Sequence, residues 1–301
     1  MGQQRADFVE ICYRFHHRSA LGSVAGNRVG STPLTQEENS ADSSASGYLC
    51  CMTTRGIFAG FAAATAFFTR IPIATQASQV EPLANAGWAF PLVGAGIGGV
   101  AALAFLLAQL LGLGDWPAAV LAVLAGIVLT GALHEDGLAD TADGLIGGHD
   151  PDHRLAIMRD SRHGTFGVMA IVLSVLLRAA ALAEIGEPIH AGLALIAANA
   201  ASRAALPCAM LMLAPARAEG LGAAAGRPSM SLAVAALAIG LLVSLAALGP
   251  ALGLVAIGLT GAAMFALGVL ARRRIGGYTG DVLGAFQQVG EIVMLLTAAA
   301  K

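Results

Sequence analysis

Charge is scarce in this sequence. Asp, Glu, Lys and Arg make up 12% of its 301 residues, against roughly 25% in soluble domains. With hydrophobic residues at 56%, that excludes an ordinary water-soluble globule and points to a membrane protein. The net formal charge is -2, and no basic block exists beyond Arg272, Arg273 and Arg274, which excludes nucleic acid as the main partner. The four cysteines, Cys12, Cys50, Cys51 and Cys208, have neither disulfide-framework nor zinc-site spacing. Cys208 lies in an apolar run and reads as a small core residue. A signal peptide is also missing, because the charged start is not followed by an apolar stretch.

What is present falls into two unequal parts. Residues 1–51 are polar and rich in Ser, Thr, Asn and Gly, with no run able to bury a core, and are expected to be disordered. Met52 opens a segment that would serve as a true start, so residues 1–51 read as a dispensable tail or as the product of an upstream start site. Gly56–Ile71 is apolar but shorter than the roughly 20 residues a span needs, and is expected to be an interfacial or re-entrant helix flanked by Arg55 and Arg70. Seven spans follow, at about 88–112, 117–134, 164–185, 189–213, 232–249, 250–271 and 282–300. The fold class is therefore all-α: a polytopic integral membrane helical bundle of about seven transmembrane helices plus that amino-terminal helix. If the 134–163 segment faces the cytoplasm, so do Arg154, Arg159, Arg162, Arg217, Arg227 and Arg272 to Arg274, and the opposite loops carry only Asp115 and Glu187. This agrees with the positive-inside rule and places Lys301 outside.

His134 to Gly167 packs six aspartates, one glutamate and four histidines between nearly uncharged segments. If Leu133–Gly144 is helical, Asp136, Asp140 and Asp143 sit at i, i+4 and i+7 on one face. Such a stripe is usually a solvated surface, but beside apolar spans it is costly and marks an ion or substrate site. Asp150-Pro151 is a helix-start signal for a helix over 151–163, and Asp152 suits its first turn. Asp160 then falls near the unfavourable end of that helix dipole, which a metal or a neighbouring arginine would offset. A carboxylate-rich, oxygen-only set suits a hard cation such as Mg²⁺ holding a phosphorylated ligand. Arg154, Arg159 and Arg162 could grip phosphate oxygens, or simply reflect topology. Gly276 to Gly280 with Thr279 forms a candidate phosphate-cradling loop, and Asp281 reads either as an N-cap or as a further metal or substrate contact. Arg178, Arg203 and Glu291 fall within spans, where they form an internal ion pair or bind phosphate. Small residues throughout permit close helix packing.

These motifs resemble one family. His134, Asp136-Gly137-Leu138-Ala139-Asp140, Asp143-Gly144, Arg159-Asp160-Ser161-Arg162, Gly164, Phe166-Gly167 and Gly276 through Gly284 match the membrane cobalamin synthases, the adenosylcobinamide-GDP ribazoletransferases. Phe68, Arg70, Ile71 and Pro72, and Pro91-Leu92-Val93-Gly94, resemble their amino-terminal signatures. The resemblance covers Met52 to Lys301 as one membrane-embedded domain. Glu135 departs from the pattern, where many members carry an apolar residue, and receives no role. The resemblance implies Mg²⁺-dependent transfer of the cobinamide phosphate from adenosylcobinamide-GDP to alpha-ribazole or its 5′-phosphate, with release of GMP. It further implies a multi-pass protein of the bacterial cytoplasmic membrane with its active-site loop inside. On this reading Asp136, Asp140, Asp143 and Asp160 hold the metal and His134 is the first candidate for a general base. Arg159, Arg162, Arg203, Gly277, Thr279 and Asp281 contact substrate, while His149, His153 and His163 read as surface residues. A homo-oligomer or a complex with other cobalamin-assembly enzymes stays open.

Three rivals are weaker. A CDP-alcohol phosphotransferase would carry arginine where Asp140 follows Ala139. A prenyltransferase would need a second acidic motif, and here only Asp281 is available. A secondary transporter would place acids deep in the membrane and show internal repeats.

Overall fold

A computed structural model of the chain describes residues 54–73 and 82–300; the extension 1–51 and Lys301 lie outside the described residues. Every regular element among the described residues is helical. The short apolar helix α1 (Thr54–Phe68) comes first, and a 3₁₀ turn, Leu83–Ala89, leads into α2 (Phe90–Leu110). Then come α3 (Asp115–Thr130), α4 (Leu133–Gly147), α5 (Pro151–Ile157), α6 (Thr165–Ile185) and α7 (Pro188–Ala204). After α8 (Leu206–Met212) and the single turn α9 (Leu221–Ala224), α10 (Met230–Leu248), α11 (Pro250–Ile275) and α12 (Gly280–Ala299) close the chain.

Six of these segments are long and apolar enough to cross a membrane, and α3 with α4 makes a seventh if its two arms count as one span. The expected polytopic bundle is therefore present, with one correction. The second span does not run straight from 117 to 134: it stops at Thr130 and turns by 91° into α4. Gly131 and Ala132 both adopt the left-handed conformation, with φ 66° and 58°. Glycine takes it freely, and Ala132 accepts a conformation that costs an ordinary L-residue about 1–2 kcal/mol. Arg70, just after α1, donates its backbone N–H to Leu129 O at 2.8 Å, and its guanidinium lies where a side chain at 131 would be.

The helix starts follow local chemistry. Asp150 Oδ1 accepts the His153 N–H at 2.9 Å, with Pro151 next, so Asp150 is the cap its sequence suggests. Glu187 and Ser229 cap α7 and α10 in the same way. Helix α5 is shorter than the expected 151–163, because Arg159 and Asp160 donate to Ala156 O and Ile157 O in tight three-residue turns that end it.

Packing is membrane-like. Large aliphatic side chains such as Leu110, Val128 and Leu242 face outward, whereas the interior is built largely of alanine around Phe68, Phe105, Leu182 and Met294. On α2, Gly94 and Gly98 lie against the backbone carbonyls of Asn199 and Leu195 on α7. Helices α4 and α12 approach as closely. A Cβ at Gly137 would sit 2.8 Å from Asp281 O, and one at Gly284 would sit 3.3 Å from Gly137 Cα.

Candidate functional site

The α4–α12 crossing fixes the site, because it sets the start of α12 against the carboxylate stripe of α4. Asp136 and Asp140, one turn apart, both reach His163, which the chain after α5 folds back over them. His163 Nε2 lies 3.6 Å from Asp136 Oδ1, and its Nδ1 lies 3.6 Å from Asp140 Oδ1. One ligand atom from each of the three can be chosen so that all lie within 4.8 Å of one another, the one such cluster among the described residues. Asp140 is buried while Asp136 and His163 keep part of their surface open, so the cluster is reachable from outside. Two carboxylate oxygens and an imidazole within that span suit a divalent cation, with room in the coordination shell for substrate oxygens.

Asp143, the third acid of the stripe, is committed elsewhere. Its Oδ2 accepts the Gly164 N–H at 2.7 Å and its Oδ1 the Gly167 N–H at 2.8 Å, so it caps α6 from a distance. Any side chain at 164 or 167 would overlap that carboxylate, which explains both glycines. Asp160 is likewise engaged. It accepts from Arg162 N and Nε, both at 3.1 Å, and from Nη2 at 2.8 Å. That guanidinium holds the Asp160 carboxyl down to about 2. The pair is exposed, and Asp160 is not in the Asp136–Asp140–His163 cluster.

His134 points the other way. Two residues on a 3.6-residue turn put it roughly opposite Asp136, and its ring stacks on Phe68 at 5.7 Å, with Nε2 buried and without a partner. It lines an enclosed cavity of about 20 Å³ together with Glu135, Arg178 and Arg203. Arg203 is buried there, donating Nη1 to Asn199 Oδ1 at 2.8 Å with its guanidinium 5.5 Å from the Phe68 ring centre. Beside the cavity runs the internal ion pair expected from the sequence, in larger form. Arg178 donates to Glu135 Oε1 at 3.0 Å and to Glu291 Oε1 at 3.4 Å. Gln288 Nε2 donates to the same Glu135 oxygen at 3.1 Å, and Gln287 Nε2 to Glu291 Oε2 at 2.6 Å.

The glycine-rich turn before α12 is packed rather than open. Tyr278 N donates to Ala214 O at 2.9 Å and Ala216 N to Tyr278 O at 2.8 Å, so Gly277 is buried against residues 214–216. Thr279, not Asp281, caps α12: its Oγ1 accepts the Val282 N–H at 3.2 Å and donates to Asp281 Oδ2 at 3.3 Å. The Gly137 contact brings the backbone of Asp281 against α4. Arg159 is exposed, and Arg217 lies within electrostatic reach of it. Sequence reasoning gave His163 no place in the site. The signal for it was its place in the acidic segment beside Gly164.

These elements define a polytopic helical membrane protein with a carboxylate–imidazole site at one end of its bundle. Residues 60–299 match the family model described as cobalamin-5-phosphate synthase, and the chain belongs to that family. It is 47% identical over 249 residues to an adenosylcobinamide-GDP ribazoletransferase of Bradyrhizobium diazoefficiens, covering 82% of this chain and 96% of the relative. It is 44% identical over 250 residues to one of Mesorhizobium japonicum (82% and 95%) and 47% over 250 to one of Azorhizobium caulinodans (80% and 95%). No solved structure gives a significant match.

Proposed function

We propose that the chain transfers the cobinamide phosphate of adenosylcobinamide-GDP to alpha-ribazole or its 5′-phosphate, releasing GMP, at the cytoplasmic face of the bacterial inner membrane. Its family and the names of its relatives support the reaction. The observation that carries the site is the convergence of Asp136, Asp140 and His163 on one point.

In this proposal Asp136 and Asp140 would hold Mg²⁺ through their carboxylate oxygens, with His163 beside them. When bound, the ion neutralises diphosphate charge and stabilises the departing nucleotide. The ribose 3′-hydroxyl of the acceptor attacks the phosphorus attached to cobinamide. A phosphorus–oxygen bond forms there, the anhydride bond to GMP breaks, and the hydroxyl proton is lost. Asp143 holds Gly164 and so keeps the neighbouring His163 over Asp136 and Asp140. Phosphoryl transfer runs largely on positioning and electrostatics, so no general base is assigned. His134, on the buried face of α4, has an architectural role.

Membranes containing the protein are expected to form the cobalamin product and GMP with Mg²⁺ and to stop with EDTA. Asp136→Asn, Asp140→Asn and His163→Ala should each lower kcat/KM by roughly 100-fold or more. Turnover of CDP-diacylglycerol instead, or full activity in Asp136→Asn, defeats the proposal.

A further inference from the structure

A diphosphate beside Asp136 and Asp140 needs positive charge, which the metal proposed above supplies only in part, and most arginines in the fold are already spent. Arg162 is locked on Asp160. Arg178 lies between Glu135 and Glu291, and Arg203 is buried on the far face of α4. Arg154 is buried and donates to Arg274 O at 3.3 Å.

Arg217 is placed differently. The paired hydrogen bonds between 214–216 and Tyr278 hold the preceding segment beside the turn that enters Asp281. From there Nη2 donates to Leu155 O on α5 at 2.8 Å, while Nε is buried and has no acceptor. The guanidinium thus ties this segment to α5 with one nitrogen and leaves another without an acceptor. Burial lowers the Arg217 pKa, Asp281 and Asp140 offset part of that, and Arg159 adds to it. A phosphate bound beside Arg217 and Arg159 would be attracted to both.

We infer that Arg217 binds the diphosphate of the nucleotide-linked substrate, beside Asp140 and Asp281. The assignment rests on the diphosphate chemistry proposed above and adds a residue that the acidic motif does not contain. Arginine suits the task because its planar fork can keep the Leu155 carbonyl on one nitrogen while offering others to phosphate oxygens.

The test is calorimetric titration of GDP and of inorganic pyrophosphate, each with Mg²⁺, into the full chain in lipid nanodiscs. Arg217→Gln should weaken both by at least about 10-fold, and Arg217→Lys, which keeps the charge but not the fork, by less. Arg227→Gln removes another guanidinium-to-carbonyl bond, to Leu211 O, and should leave both affinities unchanged. If Arg217→Gln fails to fold, the lysine variant carries the test, and wild-type affinity in it overturns the assignment. Unchanged binding in Arg217→Gln, even with a lower melting temperature, shows that Arg217 only tethers α5 and overturns the assignment while the diphosphate chemistry stands. A wild-type chain that binds neither probe defeats both.

Discussion

Asp143 shows how one side chain can belong to a motif and still do different work from its neighbours. Its spacing from Asp136 and Asp140 was legible, because a 3.6-residue period follows from sequence alone. Its partners were not, since Gly164 and Gly167 lie 21 and 24 residues away and meet it only after α5 reverses the chain. The same reversal hid His163. Asp143→Ala should therefore destabilise the fold by about 1–3 kcal/mol by removing both caps of α6. Asp143→Asn should cost nearly as much, because its amide would present a donor to a backbone donor. Thermal unfolding in micelles measures this, and the Mg²⁺ concentration for half-maximal turnover should rise in parallel as His163 loosens. An unchanged melting temperature in both variants would refute the capping role.

At the scale of helices, α4 is held by buried charge and by close contact of glycines. Glu135, Arg178 and Glu291 tie α4 to α6 and α12. An Arg–Glu pair inside the bundle was readable, because charges within apolar spans need partners. Glu135 was not, because it reads as one more acid of a polar segment until the helix turns it roughly 100° away from Asp136. Glu135→Ala leaves Arg178 with a buried charge less well matched and should cost about 3–5 kcal/mol. Glu135→Ala with Arg178→Met should cost clearly less than the sum of the two single changes. A double-mutant cycle on unfolding free energy reads the coupling, and additive costs would show that the two residues act independently.

Across the whole molecule the ends of the bundle are chemically unlike. At one end Gln109 donates to Asp115 Oδ1 at 2.7 Å and to Gly186 O at 2.8 Å, gathering the arginine-poor turns. At the other, Arg217 reaches Leu155 and Arg154 reaches Arg274, gathering the arginine-rich ones. Charge counting alone separated these two sets of turns, because a loop's residues record its side of the membrane without knowledge of packing. The sequence could not reveal the bend after α3, which depends on Gly131, Ala132 and the distant Arg70 together. Cysteines placed at Ser161 and Trp116, in a chain without other reactive thiols, should be labelled by an impermeant maleimide from opposite faces of sealed vesicles. Labelling of both from one face would refute the topology.

The bend has a consequence for the surrounding lipid. Sixteen residues of α3 rise about 24 Å at 1.5 Å per residue, several Å short of a hydrocarbon core of roughly 30 Å. Either the acyl chains shorten locally around α3, or Gly131 and the start of α4 are submerged beneath the headgroups. In the second case a thicker bilayer buries Asp136 and Asp140 deeper, so membrane composition is expected to alter access to the proposed site.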